Sequence, residues 1–153
     1  MIKLILIIFI IVCSVLIGIG IKNHLQNRLD IFRDFKDLIK NISGEITFLK
    51  TDKYTMLKNQ HLKNKHSNQF LNDYLVLGKG ELSILKSHEN KELNNFLNSI
   101  GKKDVDGEIY NLNYYENLIE KNYTLAETNY NKYGVFSIKM SILFGVLLAI
   151  ILI

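Results

Sequence analysis

The sequence contains no proline and no tryptophan, and only one of its 153 residues is a cysteine. Because proline interrupts the backbone hydrogen bonds of a helix interior, its absence leaves nothing that forces a long helix to break. A single cysteine excludes a disulfide within the chain, and with it a disulfide-stabilised secreted domain. Cys13 follows large branched residues, whereas a lipidation site has small ones there, so it is interpreted as an apolar helix residue.

Long apolar runs occupy the two ends of the chain, and the middle is polar and charged. Residues 4–21 carry no charge and would form a helix of about 27 Å, close to the hydrocarbon thickness of a membrane. Residues 135–153 form a second run of similar length, in which Lys139 can extend its long side chain to the headgroups. The pattern predicts membrane-spanning helices within residues 1–21 and 134–153, on either side of a domain at residues 22–133.

The first run has an alternative interpretation as a cleaved signal peptide. Gly18, Ile19 and Gly20 provide the small residues of a passable cleavage site. The run is long for a signal peptide, and the helical pattern continues through Ile21. An uncleaved anchor is therefore favoured.

The distribution of basic residues predicts the orientation. Residues 22–65 contain ten Lys or Arg against five acids, whereas residues 66–133 contain seven against ten. This bias is typical of membrane-proximal segments on the cytoplasmic side, and not of a nucleic-acid-binding surface. We expect a cytoplasmic middle domain, both termini outside, and these membrane-interface anchors: Lys3, Lys22, Arg28, Tyr130, Lys132, Tyr133 and Lys139.

The middle domain shows apolar residues at helical spacing and no strand-like alternation of useful length. Shorter helices are expected around Leu57, Leu71, Leu82 and Leu97, with Gly101 closing the last and Asp104 capping a long final helix. The sequence therefore predicts an all-α fold, an antiparallel bundle of about six helices including the two membrane helices. Its domain core is expected to contain Phe35, Leu38, Ile42, Ile46, Ile109, Leu112 and Ile119.

Candidate sites for chemistry all have simpler interpretations. His61 and His66 are five residues apart, which does not place them on one helix face, so no metal site is predicted. Gly78 and Gly80 are too close together for a phosphate-binding loop. Asp104 resembles the start of a calcium loop, but no glutamate closes it. Glu89 and Glu92 are interpreted as solvated carboxylates. The prediction is a protein that is not an enzyme, with no cofactor, nucleic acid or small-molecule substrate.

Six tyrosines crowd the last helical stretch, from Tyr110 to Tyr133. Tyrosine is common at protein interfaces, so a partner surface is one interpretation. Helix packing and a membrane-interface belt, especially for Tyr130 and Tyr133, are the favoured one.

An ordered series of residues runs along nearly the whole chain: Leu16, Ile17, Gly18, Leu25, Arg28, Phe32, Phe35, Ile42, Glu45, Ile46, Phe96, Ile100, Gly101, Asp104 and Gly145 with the aliphatic ending that follows it. In the order and spacing of these residues, the chain resembles the stage III sporulation protein AB family of endospore-forming bacteria. Leu29 stands where the family usually has proline, Phe144 where it has a glycine, and residues 53–89 match poorly.

The resemblance implies a more specific function than the residues do. It implies a soluble domain similar to that of the type II secretion F protein, and a platform role in a channel-like complex between mother cell and forespore. The implied partners are other stage III sporulation membrane proteins and a secretion-type ATPase. The alternative is a two-span membrane sensor or regulator. A sensor should carry a ligand pocket or an output domain, and the sequence indicates neither, which favours the platform.

Overall fold

Five helices make up the part of the chain that the computed structural model describes, which is residues 2–48 and 53–152, with side chains for 5–44 and 53–151. They are α1 (Ile2–Phe48), α2 (Lys53–Lys58), α3 (Lys65–Leu77), α4 (Ser87–Ser99) and α5 (Val105–Leu152). No strand occurs among the described residues, so the predicted all-helical class is confirmed. The count differs from the predicted six by one helix.

The missing helix is the one expected around Leu82, where the chain is a turn held against α4. Asn94 accepts a hydrogen bond from the Gly80 N–H (2.8 Å) and donates one to the Gly80 carbonyl (2.7 Å). Asn90 makes the same pair of bonds with Leu82, each 3.0 Å long. Asn90 and Asn94 are four residues apart and therefore lie on one face of α4. Gly80 and Leu82 are two residues apart in an extended segment, so their backbone groups point to the same side. The amides therefore occupy backbone groups that a helix would need for itself.

Glycines and polar caps define the ends of the short helices. Gly78 ends α3 with a left-handed φ of 74°, and its N–H donates to the Tyr74 carbonyl. Gly101 follows the end of α4 with a φ of 77°, as expected for the glycine predicted to close that helix. The long helix α5 begins at Val105, directly after the predicted cap Asp104. The Glu108 carboxylate accepts hydrogen bonds from the N–H groups of Lys102 and Lys103 and so holds the preceding turn.

One compact unit consists of residues 27–125. The ring of Phe35 on α1 packs edge-on against Phe70 of α3, with centroids 5.5 Å apart, and Phe96 of α4 packs against Tyr115 of α5 at the same distance. Helices α4 and α5 are antiparallel. Ser99, Phe96 and Glu92 of α4 contact, in that order, Asn111, Tyr115 and Asn122 of α5. The largest fully buried side chains are Phe32, Phe35, Phe70, Phe96, Ile31, Leu38, Ile39, Ile42, Leu57, Leu93, Leu97 and Ile100.

The other compact unit consists of α1 up to Gln26 and α5 from Ala126. Here the two helices run antiparallel and pack closely through small residues. A Cβ on Gly18 would lie 3.0 Å from the Ile138 Cα, and one on Gly145 would lie 2.9 Å from the Ser14 Cβ. Such close approach is typical of helix pairs in membranes, where small residues let the backbones meet. Glycine is thus required at both positions by the space available.

Candidate functional site

The outward faces of the two-helix unit are apolar and open. Two helices are long and apolar enough to cross a membrane, and only 11% and 17% of their most apolar windows are buried. Core helices of soluble proteins pass the same length test but are mostly buried. Side chains such as Ile5, Phe9, Leu143 and Ile151 are more than 60% exposed, a pattern that suits contact with lipid.

Cations and tyrosines gather at one end of this unit. The Lys22 Cγ lies 3.8 Å from where a Cβ on Gly134 would stand, and the Tyr130 ring lies against the same glycine. The ammonium of Lys132 stands 5.2 Å from the centroid of the Tyr133 ring.

Lys139 and Lys3 are two further expected anchors. Lys139 is exposed on α5. The side chain of Lys3 lies outside the described residues.

Arg28, expected to be a membrane-interface anchor, is placed differently. Its side chain is 9% exposed and forms an ion pair with Glu89 of α4, itself 1% exposed, and this corrects the expectation of a solvated Glu89. The Arg28 Nε donates to Glu89 Oε2 at 3.3 Å, and its guanidinium lies 5.8 Å from the Phe32 ring centroid. A headgroup anchor needs an exposed charge, so Arg28 is instead an interior contact between α1 and α4.

The environment of Glu89 lowers the pKa of its carboxyl group below the ordinary value of 4.5. Burial by itself would raise the pKa, but hydrogen bonds from the Arg28 guanidinium and the Lys86 N–H stabilise the charged form more strongly. A carboxyl group whose pKa is lower in the folded state than in the unfolded state stabilises the fold at pH values above its unfolded pKa. This contribution is lost as the pH falls through its folded pKa.

This linkage predicts a pH-dependent difference between the wild-type chain and Glu89→Gln. At pH 7 the wild type should be the more stable, because only it keeps the charged carboxylate that Arg28 needs. Below about pH 4.5 the difference in melting temperature should shrink. Thermal melts of both proteins in detergent between pH 3 and 8 would measure it, and a constant difference across that range would contradict the prediction.

Most of the predicted core residues lie inside the 27–125 unit. Ile109 is half-buried, and the side chain of Ile46 lies outside the described residues. The others are at most 1% exposed, namely Phe35, Leu38, Ile42, Leu112 and Ile119.

The tyrosines of α5 divide between the two interpretations given to them. Tyr115 packs on Phe96 inside the unit, and the ammonium of Lys36 stands 5.1 Å from the Tyr123 ring centroid. Tyr110 and Tyr114, one helical turn apart, are 74% and 58% exposed. We call these last two side chains the tyrosine face, and they are the two most exposed aromatic side chains on the described part of the 27–125 unit.

Within residues 2–48 and 53–152, no group of three or more His, Cys, Asp or Glu side chains could hold a metal ion. One groove of the 27–125 unit is lined chiefly by amides and lysines, including Asn90, Asn94 and Asn98, and two of these already bond to the backbone.

A family model described as stage III sporulation protein AB matches residues 3–75 and 73–153. The chain belongs to this family. The resemblance inferred from the residues is thereby confirmed, and it includes both apolar helices and the 27–125 unit. No curated protein and no solved structure matches the chain.

Membership of the stage III sporulation protein AB family makes this a sporulation-related protein. Sequence reasoning missed the Arg28–Glu89 pair and the two backbone-binding asparagines. The spacing of Asn90 and Asn94 was the available signal, since polar side chains four apart on an otherwise apolar helix face need partners. The small residues of the helix pair, such as Ser137, Ser141 and Gly145, were also visible as a four-residue repeat.

Proposed function

We propose that this chain is a non-enzymatic membrane component that helps to assemble the sporulation secretion-like channel complex linking mother cell and forespore. The observation that carries the proposal is the family match over both apolar helices and the unit between them. The two apolar helices would hold the protein in the mother-cell membrane. The 27–125 unit would present its surface to other stage III sporulation membrane proteins and to a secretion-type ATPase.

The tyrosine face is the best candidate for the assembly contact. Tyrosine gives a large, stiff contact area at low entropic cost and often dominates binding energy at interfaces. Tyr110 and Tyr114 expose their rings, while the neighbouring Tyr115 is tied to Phe96. Removing the Tyr110 ring therefore costs a partner contact without disturbing the interior. Tyr114 also packs edge-on against Tyr115, with centroids 5.1 Å apart, so its removal takes away one internal ring contact as well.

The proposed location puts the 27–125 unit in the cytoplasm and both termini outside. The support is the excess of Lys and Arg around the apolar helices on that side. Lys22, Lys132 and Tyr133 lie at one end of the two-helix unit, where a cytoplasmic headgroup layer would meet them.

Deleting the gene should abolish heat-resistant spores and leave vegetative growth unchanged. A plasmid copy of the wild-type gene should restore spores, whereas the double variant Tyr110→Ala/Tyr114→Ala should restore far fewer, because each lost hot spot weakens a contact by roughly tenfold. Spore counts after heating would measure this.

The matched control is Val76→Ala/Leu77→Ala, which removes two exposed apolar side chains from α3 (81% and 75% exposed) and should restore spores fully. Immunoblots would verify equal protein levels. A normal spore yield in the deletion strain would refute the proposed function. Full rescue by the tyrosine variant would refute the assignment of the tyrosine face as the assembly contact, and would leave the proposed function standing.

A further inference from the structure

The two-helix unit carries an open apolar groove that its internal packing does not fill. Its volume is about 470 Å³, and α1 and α5 line it with Ile17, Ile21, Phe136, Met140 and Phe144, together with Tyr133 and three serines. Two of the three serine hydroxyls are already engaged within their own helices, because Ser14 donates to the Ile11 carbonyl and Ser137 to the Gly134 carbonyl. The groove therefore offers carbon surface to its occupant.

Two lysines, which are not themselves part of the lining, adjoin lining residues at one end of the groove. Because α1 and α5 run antiparallel, Ile21 and Tyr133 mark the same end of the lining. Lys22 follows Ile21, and its aliphatic side chain packs beside Gly134. The Lys132 ammonium lies over the Tyr133 ring. An occupant that fits both parts needs an apolar chain and an anionic head.

We propose that this groove binds one acyl chain of an anionic phospholipid, whose phosphate is held by Lys22 and Lys132. Ammonium groups donate charge-assisted hydrogen bonds to phosphate oxygens, and anionic lipids are attracted to basic residues at this depth. The two neighbouring cations favour a lipid over an apolar partner helix, because such a helix would fill the apolar part without supplying an anion to either lysine. The inference rests on the membrane insertion proposed above.

The test measures lipid selectivity of the full-length chain in phosphatidylcholine vesicles. Phosphatidylglycerol and phosphatidylcholine, each spin-labelled on the acyl chain, would be compared for the fraction immobilised by the protein. We expect phosphatidylglycerol to be preferred, with each lysine contributing roughly fivefold. Lys22→Gln/Lys132→Gln should remove the preference. Ile17→Trp should remove it too, because the indole fills the groove.

Two matched controls separate the site from general effects. Lys102→Gln/Lys103→Gln removes the same charge from the turn before α5 and should keep the preference. Leu16→Trp adds the same ring beside Ile17 on the same helix, at equal exposure (61% against 62%), but outside the groove lining, and should also keep it. Circular dichroism would verify equal helix content, and Met140→Trp, which fills the groove from α5, takes the place of Ile17→Trp if that variant misfolds.

Each other outcome overturns the proposal. Equal immobilisation of both lipids refutes the site, and loss of selectivity in the lysine variant but not in Ile17→Trp shows surface charge alone. Displacement of the labelled lipid by inorganic phosphate would identify a free-phosphate site. A lipid-independent dimer that Ile17→Trp disperses would identify a second copy as the occupant. If neither lipid is immobilised, the membrane insertion itself fails.

Discussion

Replacing Glu89 with alanine is expected to lower the free energy of unfolding by about 3–5 kcal/mol. The substitution leaves the Arg28 guanidinium buried without its carboxylate, and it also removes the acceptor of the Lys86 N–H. A buried charge that has lost its partner carries its full desolvation penalty, which the surrounding apolar side chains cannot offset. The bond between α1 and α4 disappears at the same time.

Urea denaturation of the full-length chain in detergent, followed by circular dichroism, would measure the effect of Glu89→Ala. The control is Glu81→Ala, which breaks an ion pair to Lys79 whose two side chains are 68–69% exposed and should cost less than about 1 kcal/mol. The double variant Arg28→Met/Glu89→Leu should recover most of the loss, since an apolar pair of similar volume needs no charge compensation. Equal losses of unfolding free energy in Glu89→Ala and Glu81→Ala would show that the buried contact to Arg28 stabilises the fold no more than an exposed ion pair does.

Phe35→Ala is expected to cost about 3–5 kcal/mol, because a fully buried ring leaves a cavity when it is truncated. Phe35 is completely buried, and its edge-on contact with Phe70 joins α1 to α3. Geometry of this kind adds a further contribution beyond the buried area. The loss is a large fraction of the roughly 5–15 kcal/mol that stabilises a domain.

The same urea titration applied to Phe35→Ala has an aromatic control in Tyr110→Ala. The Tyr110 ring is 74% exposed, so its removal should change stability by no more than about 0.5 kcal/mol. Lys40→Ala, on the exposed side of α1, is a second control on the same helix. Similar losses in Phe35→Ala and Lys40→Ala would show that the helical register of α1 is wrong.

The helices could be predicted because their signals are local. Apolar residues at steps of three and four gave both long helices, and the absence of proline allowed α1 and α5 to run for 47 and 48 residues. Gly101 marked the end of α4 because a glycine after an apolar period is the usual left-handed residue there. These features depend on neighbours in the chain and not on the tertiary fold.

The errors arose where distant residues decide the local structure. Leu82 and Leu85 have helical spacing, but Asn90 and Asn94 bind the backbone at Gly80 and Leu82 and hold it in a turn. Arg28 has the position of a membrane anchor in the sequence, yet its partner Glu89 is 61 residues away. The sequence around Arg28 does not predict this ion pair, because the charge of an arginine near a membrane helix is usually solvated.

The candidate surfaces were partly visible in the sequence. The apolar runs and the membrane-proximal cations followed from composition. Which tyrosines of α5 face outward could not be decided, because Tyr110, Tyr114 and Tyr115 lie within two turns and only packing against Phe96 separates them. The groove of the two-helix unit depends on how α1 and α5 pair, which a single helix pattern does not contain.

Cysteine accessibility tests most directly whether two membrane-spanning helices hold the 27–125 unit on the cytoplasmic side. Asn95 is exposed on α4 and suits an introduced cysteine, in a chain whose own Cys13 is replaced by serine. In intact bacteria, a membrane-impermeant maleimide should leave Asn95→Cys unlabelled, and the same reagent should label it after the membrane is permeabilised. Full labelling in intact cells would contradict the cytoplasmic placement, and recovery of the protein in the soluble fraction would contradict the membrane anchor.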